Sequence, residues 1–436
     1  MDFGYYDKNN QIRECKINID DNWQDIKTDN ELLNSIFDKV DNGDGIVQEK
    51  EINYLNNLIH KVQNFAEEVI NNNHLKTINE MLNQNEKKQE VHSEGLDRHI
   101  REIKLSDNFE DSNLADELRT IASENGFEIS FADSNSIWIE DSSIRLADGR
   151  VYITDKDPDI EIIEGRISLD GITRSIEQRK QIVKRGTFQG IVGEKHSGTY
   201  YAQNIPESNI VHSNTYLEGG NVLNTCLKDG TPAAIIGEES IIYTLKTMGL
   251  KNTPENIEIA KAEIAKDLGL KPENITYIKQ ADFHIDMLYR PLHNGQIAIP
   301  DYDEGIRILQ ETDIADMSPE EKDKLLQELI ELRDNAASIL QDAENTLSES
   351  GYEIIRVPCF FNLGISDGPQ INYMNGVGGT NPDNKTFYIT NSSNYEQLDQ
   401  LAEEFFKQNG VDNVYFVHTG KYLKMNGGID CLTQEY

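Results

Sequence analysis

The chain has 436 residues and a formal net charge of −36, with 41 Lys and Arg against 77 Asp and Glu. So acidic a balance disfavours binding to nucleic acid or anionic membranes and favours cationic ligands, among them arginine-rich proteins, agmatine and metal ions. Hydrophobic residues make up 37% of the chain, enough for a core, and no apolar run reaches the roughly eighteen residues of a membrane span.

The opening Met1-Asp2-Phe3-Gly4-Tyr5-Tyr6-Asp7 shows neither a basic leader nor an apolar signal segment, so a cytoplasmic location is the default. The cysteines (Cys15, Cys226, Cys359, Cys431) lack the paired spacing of a disulfide scaffold or a zinc site. Length allows two domains, or one large domain with an appendage. Residues 1–112 are rich in Asn, Asp, Glu and Lys. Apolar residues recur there at helical spacing, as Leu32, Leu33, Ile36 and Phe37, then Ile52, Leu55, Leu58 and Ile59. This predicts an N-terminal helical module, with residues 85–112 as a linker or frayed helix end.

Between those two apolar stretches lies Asp41-Asn42-Gly43-Asp44-Gly45-Ile46-Val47-Gln48-Glu49-Lys50-Glu51. Gly45 followed by Val47 and Glu51 has the spacing of the turn glycine, apolar eighth position and bidentate twelfth ligand of an EF-hand loop. Counting back from Glu51, the first ligand position falls on Val40, so Asp41 serves in a loop one residue short, or Asp38 does. The candidate calcium ligands are Asp41, Asn42, Asp44 and Glu51. A solvated acidic turn is the alternative, and no second EF-hand loop is visible.

From residue 113 short strands alternate with helices. Phe127–Phe131 and Ser136–Glu140 alternate apolar and polar and are predicted strands. Arg145–Thr154 supplies another around an Asp148-Gly149 turn. A helix is expected over 174–185, carrying the basic cluster Arg179, Lys180, Lys184 and Arg185. Strand Ala233–Gly237 leads to helices over 238–248 and 255–268, and strands are expected at 283–290 and 295–299. Ser318-Pro319-Glu320 caps a long acidic helix over 319–347, read as a surface insertion. Strands Glu353–Pro358, Thr386–Thr390 and Asn413–Val417, with a helix over 395–408, complete the run. Periodicity alone supports an α/β or α+β domain over 113–436.

Four short polar segments stand out: Trp138-Ile139-Glu140-Asp141, Leu217-Glu218-Gly219-Gly220-Asn221, Phe283-His284-Ile285-Asp286 and Gly427-Gly428-Ile429-Asp430-Cys431. They supply a thiol, an imidazole and carboxylates. A guanidinium is flat, permanently charged and rich in N–H donors, so paired carboxylates hold it by bidentate hydrogen bonds. Its central carbon is a poor electrophile that calls for a thiolate nucleophile. Departing ammonia needs a proton, which histidine supplies near neutral pH. Alone, each motif is bland. A lone cysteine is usually a small hydrophobe, as Cys226 and Cys359 are read here, and Glu-Gly-Gly is usually a turn.

The order and spacing of the four segments resemble the guanidine-modifying (pentein) superfamily, in particular the agmatine deiminase and bacterial peptidylarginine deiminase family. The resemblance covers roughly residues 115–436. It implies an α/β fold, the five-bladed α/β propeller, with an N-terminal EF-hand-like module over 1–112 beside it. By the same resemblance Cys431 is the nucleophile and His284 the general acid and base. Glu218 supports His284 or touches the substrate, Asp141 and Asp286 clamp the guanidinium, and Asn375 is a substrate-side asparagine. No organic cofactor is required, with calcium confined to the N-terminal loop. Two positions depart from the family pattern: Glu140 stands where Arg is frequent, and Asp430 where His precedes the cysteine. The substrate is expected to be peptidyl-arginine in a peptide or protein, or alternatively agmatine or another small guanidine. An amidinotransferase and a noncatalytic calcium-binding interaction protein remain open.

Overall fold

A computed structural model of the chain describes residues 2–7, 12–19, 22–25, 93–153, 198, 201–282, 284–362, 369–425 and 427–436. The chain divides into two compact units, Met1–Lys88 and Gln89–Tyr436. In the first, β1 (Asp2–Asp7), β2 (Ile12–Ile19) and β3 (Asn22–Asp25) form an antiparallel sheet in the order β1-β2-β3. Asp2 pairs with Asn18, and Ile19 with Asn22. The expected helical module therefore opens with strands. Cys15, Ile17 and Ile19 alternate with Lys16 and Asn18, a two-residue period that the polar composition concealed. Asp41, Asn42, Asp44, Glu51 and the helix expected over 174–185 lie outside the described residues.

The second unit begins earlier than the sequence suggested. Residues read as a linker form β4 (Glu102–Ser106), which leads through α1 (Ser112–Asn125) to β5 (Glu128–Ala132). Asp111 accepts from the Leu114 N–H and Gly126 closes the helix at φ 74°, the side-chain cap and left-handed stop that fix a helix's ends.

From there one motif recurs. Its first strand runs antiparallel to the second, and the second runs parallel to the third. In chain order the remaining strands are β6 (Ser143–Arg145), β7 (Val151–Ile153), β8 (Ile210–His212), β9 (Val222–Cys226), β10 (Pro232–Gly237) and β11 (Ile275–Ile278). They continue with β12 (Arg290–Pro291), β13 (Gln296–Asp301), β14 (Glu353–Pro358), β15 (Val377–Thr380), β16 (Thr386–Asn391), β17 (Asn413–Val417) and β18 (Thr433–Glu435). The sheets are β6-β7-β8, β9-β10-β11, β12-β13-β14, β15-β16-β17 and β18-β4-β5. In the last of these the C-terminal strand supplies the first position, with Thr433 opposite Leu105 and Glu435 opposite Ile103. The described part of the unit is thus a mixed α/β structure of small sheets and helices.

Helices link second strands to third, as parallel pairing requires. They are α2 (Glu239–Thr247), α3 (Pro254–Leu268), α4 (Tyr302–Glu311), α5 (Pro319–Glu349) and α6 (Glu396–Gln408), and a single turn, α7 (Gly420–Leu423), precedes the last sheet. The middle strands β10 and β16 bury Ala233–Ile236 and Phe387–Ile389, which explains their apolar runs. The long helix α5 starts at a complete Ser318–Glu321 capping box and buries Leu325, Leu329, Leu332, Ala336, Ala343 and Leu347. It is packed along one face, with its other residues intermediate or exposed. No helix among the described residues is long and apolar enough to cross a membrane.

Two expected strands are turns. Ser136–Glu140 alternates in sequence, but Ser134 and Ser136 turn their hydroxyls onto the backbone. Ser134 Oγ donates to Ser136 O at 3.0 Å, and Ser136 Oγ accepts from the Trp138 N–H at 3.1 Å. Local side-chain bonds of this kind compete with a strand ladder. Among the described residues of the expected strand at 283–290, Arg290 alone is in a strand, as the first residue of β12. Ahead of it, Ile285 O accepts from the N–H groups of Leu288 and Tyr289, which closes a turn.

Candidate active site

Each of the five sheets has a polar residue just ahead of its first strand. Asp141 lies in the 3₁₀ turn Glu140–Ser142 before β6, and Glu218 precedes the turn Gly219–Asn221 that leads into β9. His284 and Asp286 precede β12, Asn375 precedes β15, and Cys431 precedes β18. All six are buried.

These residues meet. His284 Nε2 donates to Glu218 Oε2 at 3.0 Å, and its Nδ1 lies 3.5 Å from Asp141 Oδ1. Glu218 is itself held by the Tyr216 hydroxyl at 2.9 Å. Cys431 Sγ donates to Asp286 Oδ2 at 3.1 Å. Asn375 Nδ2 donates to that same oxygen at 2.6 Å and lies 3.3 Å from the sulfur. Backbone bonds tie the segments together: Gly220 O accepts from both the Ile285 and Asp286 N–H groups, while the Gly220 N–H donates to Asp141. Asn375 Oδ1 accepts from the Asp430 N–H, which fixes the turn that carries Cys431.

The glycines of two motifs are steric requirements. A Cβ on Gly220 would stand 2.5 Å from His284 Nδ1, and one on Gly428 would stand 2.4 Å from Asn375 Oδ1. Both places need a residue without a side chain so that backbone approaches the site.

Burial and crowded acids set the protonation states. Burial weakens the hold of His284 on its proton, but Asp141 and Glu218 outweigh it and raise the imidazole to about 10. Asp141 is pushed up to about 7 by burial, against the pull of His284. Burial also raises Asp286, again opposed by His284. The Cys431 thiol rises well above its ordinary range, first through burial and then through Asp286. The resting site is therefore an imidazolium beside carboxylates, with a protonated thiol. It carries more acids than cations and is suited to receive a cation.

The acid beside Cys431 is answered within the fold. Asp430 sits on a turn, not a strand, and Arg290 Nη1 donates to its Oδ2. Arg290 Nη2 also donates to Glu94 O at 3.0 Å, and the whole guanidinium is buried. Sequence reasoning missed Arg290, Tyr216 and Asn391. Asn391 Nδ2 donates to Asn375 O at 2.7 Å, and its Oδ1 accepts from the Ile429 N–H at 2.9 Å. A polar residue closing the apolar run Phe387-Tyr388-Ile389-Thr390-Asn391 was the available signal. Cys226 and Cys359 are packed in the core as expected. Outside the site, His212 faces Glu207, His293 faces Asp97 and His418 faces Glu117.

No protein-family model matches this chain, and no curated protein matches it. Among solved structures it is similar to the agmatine deiminase of C. jejuni, with 16% identity over 79% of this chain and 95% of that one, at a TM-score of 0.45. It is also similar to the N-terminal domain of ArgZ, an arginine dihydrolase of the ornithine-ammonia cycle in cyanobacteria. That match has 11% identity over 77% of this chain and 97% of that one, at a TM-score of 0.42.

Proposed function

We propose that the chain is a hydrolase that deiminates a guanidinium group, arginine to citrulline in type, through a covalent intermediate on Cys431. The observation that carries this reading is the convergence of Cys431, His284, Glu218, Asp141 and Asp286, from the segments ahead of four sheets, into one buried, cation-poor cluster. Asp141 and Asp286 hold the guanidinium. Its charge offsets theirs, which lowers the thiol pKa: the thiol releases its proton to solvent, and the resulting thiolate attacks the guanidinium carbon. His284, positively charged at rest, gives its proton to departing ammonia and leaves a thiouronium on Cys431. The neutral imidazole then takes a proton from water, whose oxygen attacks the same carbon. The C–S bond breaks, the hydroxyl proton passes to the departing thiolate, and a neutral ureido product leaves. Glu218 and Asp141 hold the imidazole through both proton transfers.

In this reading the five sheets are the blades of an α/β propeller, and the segment ahead of each first strand reaches its centre. The repeated strand pattern supports that arrangement. The substrate is arginine within a peptide or protein, which the net charge of −36 attracts electrostatically. Burial of the site favours a second reading, a small guanidine such as agmatine. The N-terminal Asp41, Asn42, Asp44 and Glu51 remain the calcium ligands we propose from the sequence.

The test is ammonia release from agmatine, free arginine and a blocked arginine peptide, each with calcium and with chelator. The blocked peptide is expected to react fastest. Faster turnover of agmatine selects the second reading. Ammonia released in the absence of any acceptor amine argues against amidino transfer.

A further inference from the structure

One acid in the cluster has no part in guanidinium binding or in holding His284. Glu140 precedes Asp141 in the same 3₁₀ turn and is 8% exposed, and its Oε2 is buried without a hydrogen-bond partner. Asp286 is fully buried, and its Oδ1 is also without a hydrogen-bond partner. Glu140, Asp286 and Cys431 each present a ligand atom, and these three atoms lie within 4.8 Å of one another. Among the described residues no cation pairs with Glu140. His284 is engaged with Asp141 and Glu218, and Arg290 with Asp430.

Buried carboxylate oxygens without donors are costly, so their presence signals a ligand that supplies positive charge. A guanidinium clamped by Asp141 and Asp286 leaves Glu140 unanswered. We propose that Glu140, Asp286 and Cys431 form a binding site for a borderline-soft divalent cation of the zinc and cadmium class. Two carboxylates and a thiolate provide three protein ligands and leave a fourth position open, a common arrangement for such ions. The sulfur selects against magnesium and calcium, which prefer oxygen ligands alone.

Binding replaces the proton that now lies between Cys431 Sγ and Asp286 Oδ2. The S–H bond breaks, a sulfur–metal bond forms, the proton leaves to solvent, and no electrons are transferred. Affinity therefore rises with pH, as it does whenever a metal displaces a proton. Because the ion takes both the nucleophile and Asp286, it excludes a guanidinium from the same place. That competition rests on the deiminase reading, whereas the metal site stands on its own geometry.

The experiment titrates the full chain with Cd2+ and follows the ultraviolet thiolate-to-cadmium absorption, in wild type, Cys431→Ser, Glu140→Gln and Glu140→Asp. Thermal unfolding of each variant confirms that it is folded. Wild type is expected to develop the band with a single equivalent, and Cys431→Ser, which keeps the other cysteines, is expected to lack it. Glu140→Gln is expected to bind about tenfold or more weakly, with Glu140→Asp between. A missing band in wild type, a band kept in Cys431→Ser, or equal affinity in folded Glu140→Gln overturns the site. Ammonia assays with added Zn2+ separate the two claims. A raised apparent KM supports competition. The band without turnover of any guanidine removes the deiminase reading alone, and turnover without the band removes the metal site alone.

Discussion

Cys431 Sγ and Asp286 Oδ2 lie 3.1 Å apart and share the thiol proton, with Asn375 Nδ2 bonded to the same carboxylate oxygen at 2.6 Å. In the proposed reaction this pair would keep Cys431 protonated until a cation takes over Asp286. Burial and the negative charge of Asp286 both hold the thiol above its ordinary 9.0. Iodoacetamide is therefore expected to leave Cys431 unmodified near neutral pH and to label it only as the pH rises well above 9.0. Peptide mass spectrometry after timed labelling across that range checks this. Rapid labelling at neutral pH would show a thiolate already formed.

Arg290 and Asp430 form a buried ion pair, with Asp430 in the turn that carries Cys431. Removing one partner of such a pair strands the other charge, at a cost of about 3–5 kcal/mol. Arg290→Met is expected to lose that much stability in urea unfolding. Combining it with Asp430→Asn is expected to recover part of the loss. An Arg290→Met protein as stable as wild type would mean that Asp430 is neutral without its partner.

Gly220 admits no side chain because a Cβ there collides with His284. Gly220→Ala should push the imidazole off Glu218 and cost about 1–3 kcal/mol of stability through overpacking. Its effect on kcat should exceed its effect on KM, since the guanidinium clamp is displaced less than the proton donor. Steady-state kinetics on the reacting guanidine measures the split, and an unchanged kcat would contradict the role given to His284.

Asp141 and His284 also make stability depend on pH. Folding raises Asp141 from 3.8 to about 7 and His284 from 6.5 to about 10. Both groups bind protons more tightly folded than unfolded. Their contribution is thus complete below the unfolded values and is lost as pH rises through the folded ones. Stability should decline between 3.8 and 7 through Asp141, then between 6.5 and 10 through His284. Asp141→Asn is expected to flatten the lower window and narrow the upper one, since Asp141 is the strongest influence raising His284. Urea unfolding across pH tests this, and parallel slopes for the two proteins would refute it.

The candidate cluster was legible because its residues lie in short local segments. Glu218, His284, Asp286 and Cys431 each sit in a distinctive run, and these runs are the places where the chain turns towards one cluster. The long elements were legible too: the middle strands β10 and β16 are continuous apolar runs, and α5 announces itself with a capping box. The first strands were not. β6 and β18 have three residues each and β12 only two, too short for a two-residue period to register. The alternation in Ser136–Glu140 misled because serine hydroxyls took over the backbone donors. The Arg290–Asp430 pair joins residues 140 positions apart, and no local pattern reports a contact of that kind.

The most direct test of the account compares ammonia release by wild type and Cys431→Ala on the guanidine that wild type turns over fastest. The account predicts steady release by wild type and none above background from a folded Cys431→Ala protein. Undiminished release by Cys431→Ala, or none by wild type from any guanidine, would contradict covalent deimination at Cys431.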